Sequence, residues 1–239
     1  MYISSRDKDD ILKVINKGLF VKGEKKFFAH LKFSIRSDSD GNPIHSETIT
    51  SKGSQAIGNS FFIANMANVI QHADINFQAS ILAVSDSTKV QFKNINPSLI
   101  FYRKDNILSD EIILNKGESF IIAGHTGASK NNYVGLVGSE IISNKPITLS
   151  NGHFNGQYVN KFYEVVSDIL LDQSIPIDKL GNEYIVVKGI SPLESNMEKV
   201  LIVAPYDNTI IQLNDKSTDK IELNKGEYYI LGRESFINY

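Results

Sequence analysis

Apolar residues in this chain fall in runs of roughly four to seven, mostly Ile, Val, Leu, Phe and Tyr, broken by Gly, Asn, Asp, Ser and Pro. Branched and aromatic side chains suit a pleated surface, and the interrupting residues are those that favour turns. The pattern predicts many short strands and an all-β protein. One helical alternative stands near the start, where Asp10 precedes Ile11, Leu12, Val14 and Ile15 at a spacing that a helix also accepts. An internal repeat argues for a strand there instead.

The repeat centres on one phrase. Ile112 to Ile122 reads IILNKGESFII and Ile221 to Leu231 reads IELNKGEYYIL, with Leu-Asn-Lys-Gly-Glu identical in both. Alternating apolar positions flank an Asn-Lys-Gly reversal whose glycine is free to take positive φ, so each copy predicts a hairpin. Upstream, Leu82 to Phe92 parallels Leu201 to Leu213 with two extra residues before the second aspartate. Asp86 and Asp207 stand where a short carboxylate accepts bonds from its own downstream amides and starts a turn. A fainter copy opens the chain, with Lys22-Gly23-Glu24 before Phe27-Phe28 and Glu47 to Gly53 matching Glu140 to Pro146.

Repetition at this length predicts β-sandwich-like modules built from repeated hairpin units, with propeller-like blades as the alternative. The units read as a partial first unit at 1–66, a second at 67–191 and a truncated third at 192–239. Glu47 matches Glu140, while Ile57-Gly-Asn matches Leu180-Gly-Asn at a wider spacing. The difference places a long insertion at about 148–179 within the second unit. Insertions specific to one unit form loops on one face of a repetitive scaffold and often carry binding.

Composition narrows the classes. With 239 residues and 41% hydrophobic content the chain can bury real cores, which excludes disorder as its main description. A net charge of -2 with interspersed signs gives no basic stripe, so nucleic acid is not an expected partner. No apolar stretch is long enough to span a bilayer, and Met1 to Arg6 lacks the basic and apolar regions of a signal peptide. The chain is therefore read as cytoplasmic or as a piece of a longer protein, and its close at Ile237 to Tyr239 early in a unit favours the piece. With no cysteine, disulfides, thiolate zinc sites and thiol nucleophiles are excluded.

The insertion concentrates amides, carboxylates and aromatic rings, and its His153, Asn155, Tyr158, Asp168, Asp172 and Gln173 form the candidate ligand-binding set. Three chemistries compete. His153 with Asp168 and Asp172 suits a divalent ion, though no close His-x-His spacing accompanies it; calcium is the candidate ion and no other cofactor is expected. Asp168 and Asp172 as a carboxylate pair on one face of a short helix suit glycoside hydrolysis. In the structural alternative, His153 and Gln173 satisfy buried backbone groups and pin the insertion to the sheet. His45 and His125 are read as solvated or structural. Tyr158, Phe162 and Tyr163 lie off the alternating strands and are candidate recognition rings. No Gly-x-Ser-x-Gly, P-loop or dinucleotide-type glycine run occurs, so no catalytic residue is expected.

Taken in order, Asn144-Lys-Pro-Ile147, Ser150-Asn-Gly-His-Phe-Asn155, Asp168, Asp172-Gln173, Pro176 and Leu180-Gly-Asn-Glu-Tyr184 resemble the IgGFc-binding protein N-terminal domain family. The variant with Ser51-Lys-Gly53, Asn151 to Gly156 and Met197-Glu198 is similar to copies in large surface proteins of gliding, flavobacterium-type bacteria. There such domains precede adhesin-like repeats and a type IX sorting domain. The resemblance, from about Tyr2 to Tyr239, implies secretion to the cell surface and a non-catalytic role in adhesion, with an extracellular glycan or surface protein as partner. Animal members carry cysteines around the Gly-His and Asp-Gln-Pro regions, whereas Phe154 follows His153 here. Disulfide locking and antibody binding are therefore not carried over. A hydrolase and a purely structural spacer remain the alternatives.

Overall fold

The computed structural model describes residues 7–36, 43–102, 108–159, 167–190, 197–213 and 220–232. Among the described residues fourteen strands form, joined by turns and short 3-10 segments. The chain is all-β and sandwich-like, as its alternating pattern predicts. After a 3-10 turn at Asp7–Asp10 comes β1 (Val14–Ile15), so the helix-compatible stretch is a strand, entered through Leu12 at positive φ.

One strand organises the rest. β9 (Glu140–Gly156) runs 17 residues, and four partners divide its length. Its first half lies between β4 (Ile57–Phe62) and β6 (Thr88–Lys93). Its second half lies between β5 (Asn76–Ala83) and β10 (Asp168–Gln173). β8 (Ser119–His125) continues the sheet beyond β5, and β7 (Glu111–Leu114) beyond β6. Phe61, Phe77, Ile81, Val90, Ile122, Ile141, Ile147 and Leu149 fill the main core. A smaller core joins β10 to the hairpin of β2 (His30–Arg36) and β3 (Pro43–Thr50) through Ile49, Phe154, Ile169, Leu171 and Phe33. Among the described residues the strands do not group into four-stranded blades, so the propeller alternative has no counterpart.

Both copies of the repeated phrase fold alike. In the first, the amide of Lys116 donates to Asp86 Oδ1 at 3.0 Å, and Asn115 N donates to Glu118 Oε2. In the second, Lys225 N reaches Asp207 Oδ1 at 3.0 Å and Asn224 N reaches Glu227 Oε2. Gly117 and Gly226 take φ of 86 and 83, conformations glycine adopts without Cβ strain. Three expectations are corrected here. The Asn-Lys-Gly turn closes no hairpin, because β7 pairs with β6 while β8 pairs with β5, and in the second copy β13 pairs with β12 while β14 pairs with β11, so the phrase bends one arm of a ladder instead of reversing the chain. Asp86 and Asp207 accept from the amide of that neighbouring turn rather than from their own downstream amides. Ala83, Asp86, Ser87 and Thr88 also superpose in bonding on Ala204, Asp207, Asn208 and Thr209 at one constant spacing, so no extra residues precede the second aspartate. The second copy comprises β11 (Val200–Val203) with β14 (Tyr228–Leu231), and β12 (Thr209–Gln212) with β13 (Lys220–Leu223).

The predicted insertion is itself part of the repeat. Its two arms, β9 and β10, pair as β2 pairs with β3: His153 faces Leu170 where Phe33 faces Glu47, and Ser150 faces Gln173 where His30 faces Thr50. Ser174 N donates to Leu149 O at 2.8 Å, as Ser51 N does to Ala29 O at 2.9 Å. Both hairpins lead into a 3-10 turn, Gly53–Ala56 or Ile177–Lys179, and then into the paired Gly-Asn sequences. Glu47 and Glu140 do not correspond: one lies within β3, the other opens β9. Three matching residues misled the alignment, whereas ladder register fixes it.

Candidate functional site

The Asn151-Gly-His-Phe-Asn155 run lies in the C-terminal half of β9, where its residues alternate between neighbours on both sides. At Gly152, φ is 137 and an added Cβ would overlap the Leu170 carbonyl oxygen, so only glycine lets β10 approach. Phe154 packs edge-on against Phe33 at 6.0 Å.

His153 is 1% exposed and holds a network of amides. Its Nδ1 lies 2.6 Å from Asn76 O and 3.2 Å from Asn68 Nδ2, and its Nε2 lies 2.5 Å from Met66 O and 3.1 Å from Asn65 Nδ2. Burial dominates its titration and lowers its pKa against the raising effect of the two carbonyls, so the ring is held neutral. A neutral imidazole has one N–H for a carbonyl, and its bare nitrogen accepts from an asparagine amide. Asn76 Oδ1 in turn accepts from the amides of Phe154 and Asn155, and Asn68 Oδ1 from Gln157 N. The run of Asn65, Asn68 and Asn76 was visible in the sequence as three amides among apolar residues. Only folding reveals that they surround His153.

Gln173 also bonds inward and across: Oε1 accepts from Lys52 N at 2.7 Å, and Nε2 donates to Thr148 Oγ1 at 2.8 Å. It pins the start of the Gly53–Ala56 turn to β10. His153 and Gln173 thus perform the structural tasks considered for them. Asn155 Nδ2 donates to Asp74 O at 3.0 Å, while the buried Oδ1 atoms of Asn151 and Asn155 have no partner among the described residues.

Of the remaining candidates, Asp168 and Asp172 face solvent and Tyr158 is half-buried. Asp168 and Asp172 are exposed on β10; the first lies 3.5 Å from His45 Nδ1 and the second 2.6 Å from Lys52 Nζ. His45 was read only as solvated or structural and Lys52 only as part of the Ser51-Lys-Gly53 motif, because both reach β10 from the β3 side of the molecule. Tyr158 donates to Met197 O at 2.7 Å, and burial followed by the nearby Glu198 charge raises its pKa. Phe162 and Tyr163 lie outside the described residues.

Two chemistries lose geometric support. The segment of Asp168 and Asp172 is a strand rather than the short helix envisaged, so four residues separate the carboxylates by roughly 13 Å. Glycosidase carboxyl pairs stand about 5–9.5 Å apart. His153 also lies buried within its own network, away from those exposed carboxylates, and among the described residues no three His, Asp or Glu side chains gather as a metal site. No helix among the described residues is long and apolar enough to cross a membrane.

No curated protein and no solved structure matches the chain. A family model described as IgGFc binding protein matches residues 46–237, which takes in the β9–β10 hairpin, its amide network and both copies of the repeated phrase. With most of its length so matched, the chain belongs to the IgGFc binding protein family.

Proposed function

We propose that this chain is a non-catalytic extracellular binding module of a cell-surface protein, recognising a protein or glycan through the solvent side of the β9–β10 hairpin. The family match is the observation that carries the reading. Within the candidate set, Asp168, Asp172 and Tyr158 form the contact residues, flanked by His45 and Lys52. His153, Asn155 and Gln173 hold the hairpin in place behind them. The mix of carboxylates, an imidazole, a lysine and one aromatic ring suits a polar partner surface, with the aromatic ring supplying contact area at small entropic cost. Likeness to copies in surface proteins of gliding bacteria favours adhesion as the use of that contact.

The test is a screen of the purified protein against glycans and against extracellular proteins, with and without calcium. Tyr158→Ala/Asp172→Ala is measured alongside and checked by thermal melting. Selective binding that disappears in the still-folded double variant supports the reading and locates the contact. Binding that survives in that variant moves the site elsewhere, and no binding in either screen favours a structural spacer.

A further inference from the structure

The repeated Leu-Asn-Lys-Gly-Glu phrase does more than shape its own turn. Within each copy the leucine is buried, at Leu114 and Leu223. The asparagine amide is held by the glutamate, and the asparagine side chain accepts from Ser87 N or Asn208 N. The glycine amide donates to Ala83 O at 3.0 Å or Ala204 O at 2.8 Å, and the lysine amide to Asp86 or Asp207. These bonds account for every residue of the phrase except the lysine side chain, which is also the same in both copies and points elsewhere.

Each lysine lies on a Gly-x-x segment from a distant part of the chain. At the second copy that segment is Gly138-Ser-Glu140, which leads into β9. A Cβ on Gly138 would overlap Gly226 O, and one on Gly226 would stand 3.0 Å from Gly138 O, so two glycines at φ of 79 and 83 meet backbone to backbone. Two residues on, the buried Glu140 carboxylate lies 2.9 Å from Lys225 Nζ and accepts from Ser60 Oγ at 3.4 Å. The Lys225 ammonium also stands 5.9 Å from the centre of the Phe62 ring. At the first copy the segment is Gly18-Leu-Phe20. A Cβ on Gly18 would stand 2.8 Å from Gly117 O, and two residues on, the Phe20 ring centre lies 5.7 Å from Lys116 Nζ.

Glycine on glycine, with lysine on the residue two places later, thus recurs at both copies. The two joints differ in strength. A half-exposed ring under Lys116 gains little, whereas the Glu140 carboxylate is out of water and depends on the cation that reaches it.

We propose that the Lys-Gly turn is a docking socket, and that the socket at Lys225-Gly226 fastens the copy built from β11 to β14 to the main sheet so that the two unfold as one. Neighbouring repeat units share stability through the interfaces between them, and here the interface is a glycine pair that brings the backbones together and an ion pair that fixes their register. The coupling is independent of what the β9–β10 hairpin binds.

The test is hydrogen exchange of the full chain in rising urea, comparing amides of β11 and β14 with those of β5 and β8. In wild type both sets are expected to open at one urea concentration. Lys225→Glu sets two carboxylates together at a side chain that is 41% exposed, so it opposes the joint and spares the fold of either part. It is expected to make β11 and β14 exchange at least about tenfold faster at low urea while β5 and β8 stay unchanged. Lys116→Glu makes the same change at the first copy and is expected to leave the β11 and β14 rates as they are. Adding Glu140→Lys to Lys225→Glu restores an opposite pair and should bring the two sets back together. Where that reversed pair does not fold, Glu140→Gln with Lys225→Met decides: removing both charges is expected to speed exchange less than Lys225→Met alone, and equal rates overturn the pairing. The proposal also falls if the two sets already open separately in wild type, if Lys225→Glu speeds both sets or neither, or if Lys116→Glu speeds β11 and β14 as much.

Discussion

Replacing Gly152 by alanine tests how β9 and β10 are joined. At this position φ is 137, and a Cβ would overlap the Leu170 carbonyl oxygen while standing 3.0 Å from Leu170 C and 3.1 Å from Leu171 Cα. Those atoms belong to the backbone of a paired strand, and Gly152 also pairs with Gln78 in β5. The carbonyl therefore cannot swing away without opening a ladder. Backbone strain at an unfavourable positive φ costs about 1–2 kcal/mol, and overlap in a packed region adds about 1–3 kcal/mol. Gly53 is the control, because its φ is 56 and nothing lies within 4 Å of the added carbon. Gly53→Ala should lose about 1 kcal/mol by strain alone, and Gly152→Ala about 2–5 kcal/mol. Urea unfolding with unchanged m values measures both. Equal losses would refute the claim that close approach of β10, rather than dihedral strain, requires the glycine.

Three further outcomes follow from the geometry. The depressed pKa of buried His153 means the unfolded chain binds a proton more readily, so its contribution to stability is full above about pH 6.5 and declines as pH falls below it; His153→Gln should flatten that part of the melting profile, while losing about 1–3 kcal/mol at neutral pH from the amide network. Asp86→Ala and Asp207→Ala each strip one carboxylate acceptor from a turn amide and should each cost about 0.5–2 kcal/mol by chemical denaturation, with similar effects for matching turns. Phe61→Ala should cost about 3–5 kcal/mol by the same assay, whereas Tyr184→Ala should change stability by less than about 0.5 kcal/mol, because its ring is already in water.

The candidate site was partly legible. Gly152 and His153 stood out as a motif, and the structural use considered for His153 and Gln173 matches the bonds they make. That Lys52 meets Asp172 and His45 meets Asp168 was not legible, because sequence separation hides cross-strand neighbours. The Asp168 and Asp172 pair looked helical because a spacing of four fits a helix face as well as one face of a strand.

The sequence by itself determined the class and the recurrence of one turn: alternation of apolar residues specifies strands, and Asn-Lys-Gly specifies the same positive-φ turn twice through local sterics, although the strands on either side of it pair elsewhere. Tertiary structure decided the phase of the repeat. Equivalence between the 30–50 and 150–173 hairpins rests on ladder register and on the Ser51 and Ser174 amide bonds, which few matching side chains announce. It also decided that one 17-residue strand serves two sheet positions. Strand pairing is made by backbone groups common to every residue, so the chain's letters mark where strands form, and only their packing decides which edges meet.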